Sequence, residues 1–343
     1  MLNRTFRRFL TFDDVGLIPK YNSITSRLNT SLNVVLGNDL YNSPFIPANM
    51  DSVIGTELAQ VCVRRGAPVI FHRFAPLEQL TKWIQEFPFS YMSIGVTKET
   101  NKFNELYDAG CRRFCIDIAH GHSQQVVDII KEIKGTYPKC QIIAGNVCTA
   151  EGFCDLVKAG ADIIKVGVGP GAACTTRIMT GVGVPQFSAL QECAEMKLRL
   201  RDEGYQAYMI ADGGIKHPRD ACLAIAVGAD AVMMGTVFAR TFESAAKKEK
   251  RQDGSIHGRY RGQASSEFMG DYFGNEKMRQ PEGVAFDVEI TKSADNIFDY
   301  YEGGLRSSFT YLGAKTVSEY QQNAEFFEST SAYMIESNSR PNH

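Results

Sequence analysis

Several things are scarce in this sequence, and each absence removes a class of function. Net charge is nearly nil: 37 basic residues stand against 39 acidic ones, a balance of −2. That leaves no global pull toward nucleic acid or an anionic membrane, so neither is expected as a partner and a phosphate ligand has to be held locally. No apolar run approaches the ~18 residues that a membrane span needs. The N-terminal MLNRTFRRFLTFDD is basic but has no apolar core, so no secretory signal is expected. Nine cysteines stand singly, at 62, 111, 115, 140, 148, 154, 174, 193 and 222, an odd number with no CxxC pair. Such usage suits a reduced, cytoplasmic protein whose thiols are mostly buried and inert. Internal repeats and low-complexity tracts are missing too. So is the glycine fingerprint that would follow the first strand of a doubly wound dinucleotide-binding sheet.

What is present is alternation. Short apolar runs at 45–50, 68–73, 92–96, 114–119, 141–147, 163–168, 207–214 and 229–237 are separated by helical patterns such as 126–133 and 150–159. Runs that are apolar throughout, rather than at every second position, suit parallel strands buried on both faces. Eight of them, each followed by a helix or long loop, predict a closed (β/α)8 barrel within one α/β domain spanning 1–343. An N-terminal extension precedes it, with extended character over 10–19. Residues 240–296 lack periodicity and are expected to be a flap insertion. The polar stretch 323–343 is expected to be a flexible tail.

Polar residues punctuate the strand ends: Asn49 and Asp51, His72 and Arg73, Asp117 and His120, Asn146, and Asp212. In a barrel these ends converge on the catalytic face. Helix capping would account for the Asn and Asp residues, but not for His72, Arg73 and His120. The densest segment runs from Lys165 to Arg177, KVGVGPGAACTTR. Its glycines permit tight turns that expose backbone groups to a ligand. Cys174 on such a loop is a candidate nucleophile, with Arg177 placed to favour its thiolate and Thr176 to relay a proton. The alternative is a structural turn with a buried thiol. Asp212-Gly213-Gly214 and Gly235-Thr236 follow the seventh and eighth strands, where barrels often hold phosphate.

These residues carry a resemblance. VGVGPGAACTTR with TGVGVPQ at 180–186 is similar to the catalytic loop of the IMP dehydrogenase/GMP reductase family. The likeness extends from LTFDDV at 10–15 to GGLRSSFTYLGA at 303–314. It implies a barrel, usually a homotetramer, that binds a purine nucleoside 5′-monophosphate and a nicotinamide cofactor. Cys174 matches the residue that attacks purine C2, with Thr176 and Glu282 as its catalytic partners. Asp212, Gly213, Gly214, Gly235, Thr236 and Tyr260 match ribose and phosphate contacts. Gly262, Gln263, Ala264, Arg279 and Gly283 fall in the base-reading segments. Carbonyls of Gly169, Gly171, Cys174 and Arg177 match a monovalent-cation loop, with potassium the expected ion. Asp117, Ile118, Ala119, Asn146, Val168 and Gly169 match the cofactor side. Arg73 and the Ser26-Arg27 pair match the surroundings of a 2′-phosphate, and Ser307 and Thr310 match a segment that reaches a neighbouring subunit's cofactor.

Within the family the chain looks most like a GMP reductase. Arg73 and Met92 stand too close together to hold the CBS modules that dehydrogenases typically insert there. Ala48-Asn-Met-Asp51 and Ile116-Asp-Ile-Ala-His-Gly-His-Ser123 resemble reductase segments. Asp271 stands where dehydrogenase flaps carry a water-activating Arg, and Arg279 precedes Glu282 by three positions, as in reductases. NADPH is therefore the expected cofactor, with NADH or NAD as the alternative. A CBS-less IMP dehydrogenase is the second reading, and a purine-nucleotide sensor with little activity the third. Ala172 replaces a customary phosphate-binding Ser, and Gln263 adds a side chain free to read a different purine edge.

Overall fold

The computed structural model describes residues 6–97, 102–274 and 280–337. Its centre is an eight-stranded parallel barrel: β1 (Phe45–Pro47), β2 (Ile70–Phe71), β3 (Tyr91–Ile94), β4 (Arg113–Asp117), β5 (Gln141–Val147), β6 (Ile163–Val166), β7 (Tyr208–Asp212) and β8 (Ala231–Met234). Neighbours in sequence pair in space from β2 through to β8, and β8 pairs back onto β1. Among the described residues no ladder joins β1 to β2. The side-chain amide of Asn49 spans that seam, donating to the Ser93 hydroxyl at 2.9 Å.

The apolar runs are explained by burial on two sides. Alternate residues point inward, so Ile46, Ile70, Tyr91, Cys115, Ile143, Ile163, Ile210 and Met233 fill the barrel. Their neighbours Phe45, Phe71, Phe114, Ile142, Ile164 and Val232 face the helices. Each such large side chain contributes roughly 1.5–3 kcal/mol relative to exposure. The helix Gln124–Thr136 shows the matching pattern: Val126, Ile129, Ile130 and Ile133 share one buried face. The ladders end earlier than the apolar runs do. Residues such as Ala48 and Val168 remain buried but leave the sheet to build the mouth.

The opposite face of the barrel is pinned by a device used twice. Before β6, Asp162 accepts from the Ile142 backbone N–H and from Lys134, both at 2.7 Å. Before β8, Asp230 accepts from the Met209 N–H and from Lys197, again at 2.7 Å. Each carboxylate thus joins a helix to the start of the preceding strand.

Two peripheral segments carry more regular structure than their composition suggests. The end of the chain is not a free tail over its described part. Phe326–Glu328 pairs antiparallel with Val15–Leu17, and Ser331–Glu336 is helical. The cause is aromatic: Phe326 packs on Phe187 at 5.2 Å and Phe327 on Tyr333 at 5.4 Å. The insertion at 240–296 is also more ordered than its composition suggests. Lys248–Lys250, Ile256–Arg261 and Ala285–Glu289 form a three-stranded antiparallel sheet. The helix Ser266–Phe273 sits between the last two strands, capped by the Ser265 hydroxyl. Among the described residues no helix is long and apolar enough to cross a membrane.

Replacing Asp230 by Ala leaves a buried strand N–H without its acceptor and Lys197 with the Gly228 carbonyl alone. Urea unfolding of Asp230→Ala is expected to show a loss of about 1–3 kcal/mol with turnover at saturating substrate unchanged; an unmoved midpoint would show that the device contributes nothing.

Candidate active site

Cys174 sits on the loop that leaves β6 at the barrel mouth. The loop turns at Gly167, with φ 153°, where an added Cβ would lie 2.0 Å from the Asp212 carbonyl oxygen. Only glycine lets the β6 loop and the end of β7 approach so closely. The loop is then clamped from the flap side. Thr175 N–H donates to the Glu282 carbonyl at 2.8 Å, and Val284 N–H donates to the Ala173 carbonyl at 3.0 Å. Gly283, a base-reading candidate, therefore lies directly opposite Cys174 as a bridge partner.

That clamp sets a three-member chain. The Cys174 thiol lies 3.2 Å from the Thr176 hydroxyl, which donates to the Glu282 carboxylate at 2.9 Å. The three catalytic candidates are thus joined by hydrogen bonds, thiol to hydroxyl to carboxylate. Cys174 is partly exposed, whereas Cys115 and Cys222 are buried and their thiols pushed up to about 12 by that burial. Arg177 binds the carbonyls of Val168 and Val184 and acts electrostatically on Cys174. It thus braces the loop. Of the cation-loop carbonyls, those of Gly171 and Arg177 each already accept one backbone N–H, at 3.0 Å.

The nucleotide candidates gather at the ends of β7 and β8. Asp212 accepts from Asn146 at 2.8 Å and from Lys165 at 3.1 Å, both on Oδ2. Gly213 and Gly214 follow it in left-handed conformations, φ 88° and 82°. The Tyr260 hydroxyl presses on Gly235, where a Cβ would stand 2.5 Å away, and it hydrogen-bonds Thr236. Burial pushes this phenol up to about 12, so its hydroxyl stays protonated. Gln263 donates to the Asn49 carbonyl at 2.9 Å. Its NH₂ group therefore ties the flap to β1 rather than being free to read a purine edge. Gly262 lies against the Ala173 carbonyl oxygen and Ala264 accepts the Glu282 N–H at 3.1 Å. Arg279 lies outside the described residues.

The cofactor candidates divide into two groups. Arg73, Asp117, Ile118, Ala119, Asn146, Val168 and Gly169 belong to the mouth. Asn146 N–H donates to the Ile118 carbonyl and Ile118 N–H to the Gly145 carbonyl, which locks the ends of β4 and β5, and the Asn146 amide reaches the Gly167 carbonyl at 2.7 Å. The Nε of Arg73 is buried without a partner, its guanidinium stacks on Phe74 at 4.3 Å, and its charge acts on Asp117. Ser26, Arg27, Ser307 and Thr310 form the other group, on the outside of the barrel. The turn Arg27–Asn29 packs against helix Ala294–Tyr311, and the hydroxyls of Ser307 and Thr310 bond to that helix's own carbonyls.

One strand-end residue is not a site residue. His72 is buried, accepts the Phe74 N–H on Nδ1 and packs edge-on to Trp83. Burial, with the Lys102 charge, lowers it to about 4, so it is a neutral core histidine. Two charged residues were not singled out from the sequence. Arg261 bridges Asp51 on the barrel, at 2.6 Å, to Asp271 on the flap helix, at 2.5 Å. Lys165 lies between Asp117 and Asp212. Its signal was available: a lysine inside the apolar run Ile163–Val166 has to be paired.

Comparisons with known proteins identify the family. The family model described as "IMP dehydrogenase / GMP reductase domain" matches residues 9–340. Inosine-5′-monophosphate dehydrogenase of Chlorobaculum tepidum is 41% identical across 71% of this chain and 51% of the relative. The enzyme of the same name from Aquifex aeolicus is 40% identical across 71% of this chain and 50% of the relative. The chain thus spans about half the length of these two relatives. That of Borreliella burgdorferi is 33% identical across 98% of each chain. With the matched family model covering nearly its whole length, the chain belongs to the IMP dehydrogenase/GMP reductase family, a family of nicotinamide-dependent purine-nucleotide oxidoreductases.

Proposed function

We propose that the protein is a GMP reductase, which converts GMP to IMP and ammonia with NADPH through a covalent bond between Cys174 and purine C2. The observation that carries this reading is the hydrogen-bonded chain from the Cys174 thiol through Thr176 to Glu282. A reductase needs one device to take a proton from the thiol and deliver it to the departing amine, and this chain is such a device. Along it the thiol proton passes to Glu282, and the thiolate adds to C2 of GMP. Thr176 then returns the proton to the 2-amino group, the C2–N bond breaks, and ammonia leaves a thioimidate on Cys174. The cofactor supplies a hydride to C2. The C2–S bond then breaks with its electrons on sulfur, IMP departs, and the Cys174 thiolate takes up a proton from solvent.

The choice of branch rests on what faces the adduct. A dehydrogenase must activate water there. Asp271 occupies the flap position where the resemblance places an activating Arg, and its carboxylate is held by Arg261. A flap that excludes water without activating it protects the adduct for hydride transfer. Arg73, with its buried unpartnered Nε, suits an anionic group of the cofactor, which favours NADPH. Ala172 gives up one phosphate contact, a cost of about 0.5–1.5 kcal/mol. The carbonyls of Gly169, Gly171, Cys174 and Arg177 keep a lone pair each, so a potassium ion fits this donor set; no step above passes through it. Ser26, Arg27, Ser307 and Thr310, remote from their own mouth, fit a role at a neighbour's cofactor site within a homotetramer. The second reading is an IMP dehydrogenase, favoured by the names of the relatives.

Absorbance at the nicotinamide band decides between them. NADPH is expected to be consumed with GMP; formation of NADH from IMP and NAD, with no reaction on GMP, would overturn the proposal. Cys174→Ala is expected to abolish turnover while nucleotide binding remains measurable by calorimetry, and retained turnover removes the nucleophile. Glu282→Gln is expected to lower kcat by about 10²–10⁴-fold with KM for GMP little changed. A variant that altered KM alone would assign Glu282 to binding instead of proton transfer.

A further inference from the structure

The most deeply buried cation among the described residues has no part in the chemistry above. Lys165 is 2% exposed and stands at the third position of β6. Its ammonium donates to Asp117 at 2.7 Å, at the end of β4, and to Asp212 at 3.1 Å, at the end of β7. One Nζ therefore holds two carboxylates within about 6 Å of each other, a spacing at which like charges repel strongly. β5, which separates β4 from β6 in the sheet, clears the way: at Gly145 an added Cβ would stand 2.7 Å from Lys165 Cβ. Asp212 takes both Lys165 and Asn146 on Oδ2. That leaves Oδ1 for a ligand hydroxyl.

We propose that Lys165 is a positioning residue shared by both ligand sites, one ammonium holding Asp212 toward the nucleotide ribose and Asp117 toward the nicotinamide cofactor. This rests on the family-level reading of those two carboxylates and holds for either branch. Its physical basis is that a buried carboxylate, Asp117, and a half-buried one, Asp212, cannot both stay ionised and correctly aimed at this spacing without a cation between them. The other groups facing the cluster do not replace it. Arg73 reaches Asp117 only electrostatically, Cys115 is a buried protonated thiol, Asn49 is neutral, and Tyr260 bears on Asp212 as a neutral phenol. Without Lys165 one carboxyl of the pair takes up a proton near neutral pH. Ligand binding then weakens as pH falls.

The test uses IMP and NADPH, a pair that reacts under neither branch, with binding followed by calorimetry and by nicotinamide fluorescence from pH 6 to 8. Lys165→Met is expected to weaken both ligands by about tenfold or more. Its affinity relative to the wild type should fall as pH drops, a ratio in which titration of the IMP phosphate cancels. Lys165→Met/Asp117→Asn removes the repulsion. It is expected to restore IMP affinity and a flat ratio while NADPH binding stays weak. A purely structural lysine would not show that split. If Lys165→Met fails to fold, the charge-balanced double variant carries the test alone: wild-type IMP affinity with weak NADPH binding supports the inference, and lost IMP affinity overturns it. A folded Lys165→Met with unchanged affinities and a flat ratio overturns the inference alone. A wild-type protein that binds neither ligand overturns the reading and the inference together.

Discussion

The site depends on a short main-chain clamp between the Cys174 loop and the returning end of the flap. Thr175 holds the Glu282 carbonyl and Val284 holds the Ala173 carbonyl, so the backbone that carries the candidate carboxylate is fixed. Thr176 and Glu282 are 106 positions apart in sequence, yet their side chains meet at 2.9 Å. Gly262 and Gly283 make this possible, because a Cβ on either would press on the Ala173 carbonyl oxygen. The insertion at 240–296 therefore contributes residues to the candidate site. Arg261 fastens its helix to the barrel through Asp51 and Asp271.

A second constraint is electrostatic. Barrels of this kind normally fill their interior with apolar layers, and below the mouth this one does. At the mouth that rule is broken by Lys165, Asp117 and Asp212. A buried ion cluster adds little to stability, because desolvation offsets its attraction. Its presence is better explained by what it aims. Asp162 and Asp230, at the other end of the same strands, show the contrast. There each carboxylate, through its Oδ2, ties a strand N–H to a helix lysine and so fastens helix to sheet.

Much of this was legible in the residues. All eight strands fall within or beside the apolar runs that predicted them, because burial on two faces leaves an unbroken apolar signal. Cys174, Thr176 and Asp212 were marked by the motifs around them. The flap sheet was not legible, since its strands are half-exposed and their pattern is diluted by charge and glycine. Phe326–Glu328 was hidden for the opposite reason: three residues are too few to show a period, and only the packing of Phe326 on Phe187 reveals why they pair. His72 was read as a mouth residue because a strand end says nothing of which way a ring points.

By itself the sequence determined the barrel and the family and singled out Cys174 as the candidate nucleophile, since each is written in contiguous residues or in a repeating pattern. The tertiary structure decided which candidates share a site. It brought Glu282 to Thr176, turned Gln263 onto Asn49, set Arg261 against Asp271, and placed Ser26, Arg27, Ser307 and Thr310 away from the mouth. It also put Lys165 between two carboxylates from different strands. These are contacts between distant segments, and their energy depends on distance and burial, which no local pattern of residues records.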